Sequence, residues 1–431
     1  MIFKLRRPVL AILGLTLIFT IIYTKHFKDN LSLHNDEHIK LEGVVLDLSF
    51  KQNHIQYIVA DFLIKDFNKT NVDIGDKVQV YGKFKSLDNY NLNDFDYGLY
   101  LRAKGYNGVI IAKDITKKGK NNIYYHIHKT KTTISEKIDL LYNENSPIVK
   151  ALILGDKSYI QKSIINSFTI TGTSHVMALS GLHVGIIAST IHFLTRWVNK
   201  YLRFVILLIT LIFYCFIVGL TPSIIRATLF IIIFYIATFI EREYDTICAI
   251  SFVAILLIIN NPFIIYNISF QLSFLAVLSI SCFYHKVNRY FKYPLISVTI
   301  CATIMTWPII YYNYKIFSVI SLLANLLVVW AVGVIINLAL LSLFFSILST
   351  NLAFLISNAN TLFIKYIVTV VKYLSEIEYS HINFENTSLS FMVLYYIIVV
   401  SYLILSEIYT VKEQKNAVQG YNKRHEKRSI S

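Results

Sequence analysis

From Pro147 onward the chain is a succession of apolar runs, near 147–155, 175–197, 202–219, 222–240, 247–260, 267–284, 294–313, 316–348, 352–373 and 389–410. Several approach the roughly 20 residues that a helix needs to cross a bilayer. Lipid offers no partner to a backbone N–H or C=O, so such runs fold as helices that satisfy their own hydrogen bonds. With 55% hydrophobic residues among 431, the chain reads as a multi-pass α-helical membrane protein. Two runs depart from the simple pattern. Leu182–Trp197 is polar for insertion on its own. The 316–348 run is too long for one simple span and is expected to split near Asn325 or Gly333, into two helices or a re-entrant hairpin.

The first 146 residues differ. Met1–Arg7 is basic and Pro8–Tyr23 is apolar; Thr24, Lys25, His26 and Phe27 follow, without a small-residue cleavage site, so a retained anchor helix is expected. Charges of both signs then intersperse with alternating stretches at His38–Phe50, Gln56–Ile64, Lys77–Phe84 and Val109–Lys113. Asp94–Lys104 has a helical pattern between the last two. Four or five strands with one helix fit a small β-barrel of the OB type. On such a barrel Tyr57 and Tyr81 are candidates to stack on bases of single-stranded nucleic acid, and Lys83 and Lys85 to meet phosphates. The expected organisation is a basic N-terminus with anchor helix (1–24), an extracytoplasmic OB-like β domain (25–115), a basic amphipathic connector (116–146), a polytopic region (147–410) and a basic tail (411–431). The positive-inside rule puts both ends in the cytoplasm and the barrel outside it.

The formal net charge is +15. Such an excess serves topology and contact with anionic lipid, or an anionic substrate such as nucleic acid. Cys215, Cys248, Cys282 and Cys301 all sit in apolar segments without C-x-x-C spacing, which excludes a disulfide framework or zinc site by pattern. His126-Ile127-His128 has no Asp or His at the spacing a binuclear metal motif needs. No cofactor and no metal are expected. A G-x-x-x-x-G-K-[ST] loop is missing too, so no ATP motor of that kind is encoded here.

Polar residues inside the apolar region are costly in lipid unless they are paired or face water. Thr171–Ile187, T-G-T-S-H-V-M-A-L-S-G-L-H-V-G-I-I, is dense in them. Projected on one continuous helix at about 100° per residue, Thr173, His175, Ser180, His183 and Thr190 share about half the circumference. Two uses fit, a hydrated face along an internal path or hydrogen bonds between tightly packed helices, with Gly172, Gly181 and Gly185 permitting close approach or a local break. Ser180 and His183 also invite a catalytic reading, an intramembrane serine hydrolase using Ser180 and a histidine. Arg226 lies one turn inside a helix that Thr221 and Pro222 begin. It would either snorkel to lipid phosphates or face an anionic ligand. Asn267 and Gln271, at i and i+4, suit helix-to-helix hydrogen bonding or a polar path. Asn325 puts an amide into another apolar run.

Taken in order, these motifs resemble the ComEC family of bacterial competence proteins. Ala151–Asp156 is similar to its A-L-x-L-G-D/E element, and Ser174–Val184 to its signature around A-[IL]-S-G-[LM]-H. Ser223–Ala227 resembles its S-x-x-R-A, and Asn261-Pro262 with Ser269–Phe274 its N-P…F-Q-L-S-F. Phe95-Asp96-Tyr97 with Tyr100-Leu101 is similar to an element of its extracytoplasmic OB-like domain. Two places depart from the pattern: Asn91-Leu92-Asn93 stands for an Asn-Pro-Gly, and Val329 leads to Trp330 rather than to proline. The resemblance implies an inner-membrane channel for uptake of single-stranded transforming DNA, not an enzyme. Its implied partners are single-stranded DNA, the lipid bilayer, an external DNA receptor, a separate nuclease, and a cytoplasmic ATPase or strand-binding proteins. The C-terminal metallo-β-lactamase-like domain of longer relatives has no counterpart here, so strand degradation is not expected of this chain.

Overall fold

The computed structural model describes residues 7–27, 34–88, 90–92, 95–406 and 409. Lys4, Arg6, Asp94 and the basic tail 411–431 lie outside the described residues. Helix α1 (Pro8–His26) begins on a proline, whose missing N–H costs nothing at that position. Its side chains are apolar all round and almost all stay open to the surroundings, as an anchor in lipid requires.

Strands β1 (His38–Phe50), β2 (Ile55–Val59), β3 (Phe62–Asp66) and β4 (Asp76–Lys85) follow. After the short β5 (Asn91–Leu92) and β6 (Phe95–Asp96) come helix α2 (Tyr97–Ala103) and strand β7 (Gly108–Lys120). The strands close a five-stranded barrel in the order β1-β2-β3-β7-β4, with β4 returning to β1. Only β3 and β7 run parallel; the remaining pairs are antiparallel. This is the expected small OB-type barrel. Alternation fills it: Val78, Val80 and Phe84 of β4 point inward to meet Val45, Tyr57, Val59, Ile64 and Ile110.

The Gln56–Ile64 run is a hairpin, not one strand. Ala60 (φ 47°) and Asp61 (φ 63°) both take the left-handed conformation that a tight two-residue turn demands. Neither residue type announces such a turn. The helix expected from Asp94 starts later, at Tyr97, because the Asp96 carboxylate accepts the Leu99 N–H at 2.8 Å and fixes the cap there.

Asp76 is a buried charge in the barrel wall. Burial raises its pKa, but the Lys117 ammonium at 2.8 Å and the Asp73 N–H at 3.0 Å outweigh this and hold it below the ordinary carboxylate value. A lowered folded-state pKa contributes stability above the unfolded value, about 3.9, and that stability is lost as pH falls through the lowered one. Asp76→Asn is expected to flatten the acid limb of barrel unfolding, read as amide hydrogen exchange of β4 and β7 between neutral and acidic pH.

Asn121 joins the barrel to helix α3 (Asn122–Tyr142), accepting the N–H groups of Ile123 and Tyr124. This basic connector packs its apolar face into the helical region: Ile138, Leu141 and Tyr142 are buried in the main core. The Tyr142 hydroxyl lies 2.9 Å from Ser342 Oγ and accepts from Asn360 Nδ2 at 3.0 Å, and Asn360 also donates to the Ile335 carbonyl at 3.1 Å.

Then come α4 (Ser146–Leu154), α5 (Lys162–Ile170), α6 (Ser174–Met177), α7 (Gly181–Leu194), α8 (Lys200–Val218), α9 (Pro222–Phe239) and α10 (Thr246–Asn260). The chain continues through α11 (Ile268–Phe291), α12 (Pro294–Tyr314), β8 (Ile316–Ser318), α13 (Ser321–Leu348), α14 (Thr350–Ser375), β9 (His381–Asn383) and α15 (Leu389–Ser406). Among the described residues eight helices, α1, α8, α9 and α11 to α15, are long and apolar enough to cross a membrane; α7 and α10 are shorter. The protein is thus a multi-pass helical membrane protein carrying a small barrel.

The expected split of 316–348 does not occur. Residues 316–318 pair with β9 as a ribbon, and α13 is one helix of 28 residues. Gly333 does not break it, because its carbonyl keeps a side-chain bond from Asn337 at 2.8 Å and its open side faces Ile186 of α7.

The barrel marks one face of the helical region. Arg7 binds Asp245 at 2.7 Å at the far end of α1, while Phe27 meets Phe263 edge-on at 5.1 Å near the barrel. Helix α15 starts with Phe391 against Trp307 and Tyr311 and ends with Tyr402 stacked on Phe283. The start of α1 and the described end of α15 therefore share the face opposite the barrel.

Candidate functional site

The polar stretch 171–190 is not one helix, so the continuous polar face does not form. Helix α6 ends at Met177, Ala178 (ψ 133°) and Ser180 (φ −135°, ψ 176°) are extended, and α7 starts afresh at Gly181. The break has a local cause. His183 Nδ1 accepts the Ser180 backbone N–H at 3.3 Å, the place that a glutamate takes in a capping box, and lies 3.2 Å from Ser180 Oγ. A ring nitrogen that accepts a backbone N–H leaves the proton on the other one. That nitrogen, Nε2, is buried and has no partner among the described residues.

Thr173 and Thr190 separate from this pair. Thr173 is fully buried, its Oγ1 2.8 Å from Thr171 Oγ1, and so faces no water. His175 is exposed on α6. Thr190 Oγ1 donates to Asn337 Oδ1 at 2.5 Å and ties α7 to α13.

What converges instead are the ends of several elements. Gly155 closes α4 with φ +73°, and any side chain there would run into Leu179. A Cβ at Gly181 would stand 3.7 Å from the Cβ of Ala227 on α9. One residue along, Arg226 is 1% exposed, which removes snorkelling. Its Nη2 donates to Ser223 Oγ at 3.1 Å and to the Ser269 carbonyl of α11 at 2.9 Å. The guanidinium carbon lies 5.8 and 5.4 Å from the ring centres of Phe270 and Phe274. Its Nε and Nη1 are buried and find no partner among the described residues. The site is thus a packed junction of α4, the 178–181 break, α9 and α11, with a cation and an imidazole N–H held in its interior.

Asn267 and Gln271 do not bridge two membrane helices. Asn267 Oδ1 caps α11 through the Phe270 N–H at 3.2 Å, and its Nδ2 donates to the Ala103 carbonyl of α2 at 3.4 Å. Gln271 Nε2 donates to the Ile265 carbonyl at 2.8 Å. Asn261, singled out in the sequence only as part of a motif, takes a role not read there: its Nδ2 donates to the Arg102 carbonyl at 2.9 Å. Asn261 and Asn267 together dock the barrel's helix on the membrane region. Asn325 sits in the first turns of α13, half-buried, with a buried Oδ1 unpartnered among the described residues.

In the barrel, Tyr57 cannot stack on a base: it is buried and its hydroxyl donates to the Thr70 carbonyl at 2.6 Å. Tyr81 is half-buried on the outer wall and stacks on His38 at 5.4 Å. Lys83 and Lys85 both bind Asp36, at 3.1 and 2.5 Å, and their hydrogen bonds hold that carboxyl below its usual range. Among the described residues no group of three His, Cys, Asp or Glu side chains could hold a metal ion.

A closed OB-type barrel docked on a bundle of membrane-crossing helices, with a buried arginine and histidine where its motifs meet, defines a class of membrane protein with an appended soluble domain. Residues 152–408 match the family described as "Competence protein", which covers more than half of the chain. The chain belongs to that family, the ComEC family. It is 28% identical over 242 residues to ComE operon protein 3 of Bacillus subtilis, covering 54% of this chain and 31% of the relative. It is 25% identical over 146 residues to Recombination protein 2 of Haemophilus influenzae, covering 32% of this chain and 18% of that one. An uncharacterized protein of Aquifex aeolicus is 33% identical over 132 residues, 30% of this chain and 31% of the relative. The matched stretches thus span less than a third of each of these relatives.

Proposed function

We propose that this chain conducts single-stranded transforming DNA across the cytoplasmic membrane during natural competence. The observation that carries the reading is that the family match spans the helical region in which Gly155, Ser180, His183 and Arg226 converge. A polyanion needs compensating cations and an external capture domain. The docked barrel suits the second role, and Arg226, enclosed in the junction, would serve the first through its field rather than by contact. His175, Asn325, Thr173, Gly181, Asn267 and Gln271 then act by shaping or supporting the path. In this reading the start of α1 and the described end of α15 face the cytoplasm and the barrel faces outward; the working parts are the anchor helix, the barrel, which runs on to Lys120, the connector, the helical region and the basic tail. Force comes from a cytoplasmic ATPase or strand-binding proteins; an external receptor delivers the DNA and a separate nuclease removes the other strand. The test is entry of labelled DNA in a deletion strain carrying this chain. DNA arrested outside the cytoplasmic membrane without the chain, and admitted with it, supports the channel; equal entry in both refutes it.

The 3.2 Å approach of Ser180 Oγ to His183 Nδ1 favours one second reading, a serine hydrolase. Against it, that nitrogen already accepts a backbone N–H and the ring is fully buried. Ser180→Ala separates the two. The channel reading expects a loss of about 1 kcal/mol from the α7 cap, with DNA entry retained. A hydrolase would lose all turnover of its substrate.

A further inference from the structure

The barrel carries an aromatic surface away from the β1–β4 wall. Helix α2 and its neighbours close over β3: Leu63, Leu87, Leu101 and Val109 form a small core with Tyr90, Tyr97 and Tyr106 packed on it. The outer side of this cover is a cluster of rings. Tyr97 stacks on Tyr100 with centroids 5.8 Å apart and planes at 26°, and Phe95 meets Tyr100 edge-on at 5.7 Å. Phe95 and Tyr100 are 53% and 39% exposed, and together with Tyr97 they present adjoining ring faces.

Two ammonium groups frame the rings. Lys104 Nζ lies 4.5 Å from the centre of Tyr100. Lys65 Nζ donates to the Tyr90 hydroxyl at 3.2 Å and lies 5.9 Å from the centre of Tyr97. Neither lysine has a carboxylate at ion-pair distance among the described residues. Lys83 and Lys85 of β4, by contrast, are committed to Asp36, and Lys117 of β7 to Asp76. Asp66, next to Lys65, is buried and accepts the Asn68 and Thr70 N–H groups, and Asp96, between the rings, uses Oδ1 to cap α2. The cluster also sits at the junction with the membrane region, since the carbonyls of Arg102 and Ala103 at the end of α2 are the ones held by Asn261 and Asn267.

We propose that Phe95, Tyr97 and Tyr100, flanked by Lys65 and Lys104, form a stacking platform for unpaired bases of single-stranded nucleic acid at the entrance to the membrane region. The inference rests on the DNA-uptake reading and names the contact surface for that substrate. Every base has a π-face, so ring stacking accepts any sequence, and lysines with no acid partner supply the phosphate contacts. It moves the binding surface from Lys83 and Lys85 of β4, both paired with Asp36, to the α2 cover.

The experiment is fluorescence anisotropy of labelled oligothymidylate, about 12 nucleotides long and so within the site size of such folds, with the full chain in nanodiscs. Phe95→Ala with Tyr100→Ala is expected to weaken binding by roughly 5- to 150-fold per ring, the equivalent of a stacked base. Phe95→Trp should restore or tighten it, which a folding defect would not. Binding by the double variant equal to that of the unchanged chain overturns the platform and leaves the uptake reading standing. So does a double variant that binds the oligonucleotide normally but loses affinity for anionic vesicles, since the rings would then anchor lipid. If the unchanged chain neither binds the oligonucleotide nor restores DNA entry, the uptake reading itself fails.

Discussion

Arg226→Met is expected to fold at least as well as the unchanged chain and to lose DNA entry. A buried charge without an acid partner costs desolvation, and an apolar side chain of similar volume is often neutral or stabilising by about 1–4 kcal/mol in such a place. Arg226 has no carboxylate beside it; it leans on Ser223 Oγ, the Ser269 carbonyl and two phenylalanine rings, with Nε and Nη1 left over. A residue kept there only for packing would be replaced by Met without consequence. A residue kept for its charge would not. Arg226→Ala tests less cleanly, because it also opens a cavity at the α9–α11 contact. Arg226→Lys keeps the charge but loses the planar fork that reaches Ser223 and Ser269 together. Thermal melting in detergent paired with transformation frequency separates the three. A stable, fully transforming Arg226→Met variant would remove the arginine from the mechanism.

The second large effect is expected at Gly155. Its φ of +73° suits glycine, and a Cβ there meets the Leu179 side chain. For Gly155→Val the left-handed backbone costs about 1–2 kcal/mol. Overpacking adds about 1–3 kcal/mol. The variant should therefore melt well below the unchanged chain and transform poorly. Leu179→Ala in the same chain should recover part of the loss, since it vacates the colliding atoms but not the strained φ. Full recovery would place the whole effect in packing; none would place it in the backbone.

How much of this was legible in the sequence differs from element to element. Alternation in Lys77–Phe84 placed Val78, Val80 and Phe84 inside the barrel, and length with hydropathy marked the crossing helices. The same alternation runs through Ile55, Tyr57 and Val59, all inward, so Tyr57 was readable as core. Nothing in Val59-Ala60-Asp61-Phe62 signals a turn, because neither central residue is the glycine or asparagine that usually takes that conformation. A local break at Gly181 was open from the sequence, but its cause was not. It depends on an imidazole acting as a capping group, and apolar residues on both sides carry the helical pattern across it. The roles of Asn261 and Asn267 were out of reach of local pattern, since their partners lie 159 and 164 residues away.

Helix α3 has a mechanical consequence. It leaves the barrel through a single residue, Asn121, whose N–H is held by the Gly75 carbonyl at 2.7 Å. It then runs 21 residues, about 30 Å at the usual helical rise, to a tyrosine gripped by Ser342 and Asn360. Fixed to the barrel at one end and socketed between α13 and α14 at the other, it is a rigid strut. With the Asn261 and Asn267 bonds to α2, the barrel is held to the helical region at two separate points rather than hung on a linker.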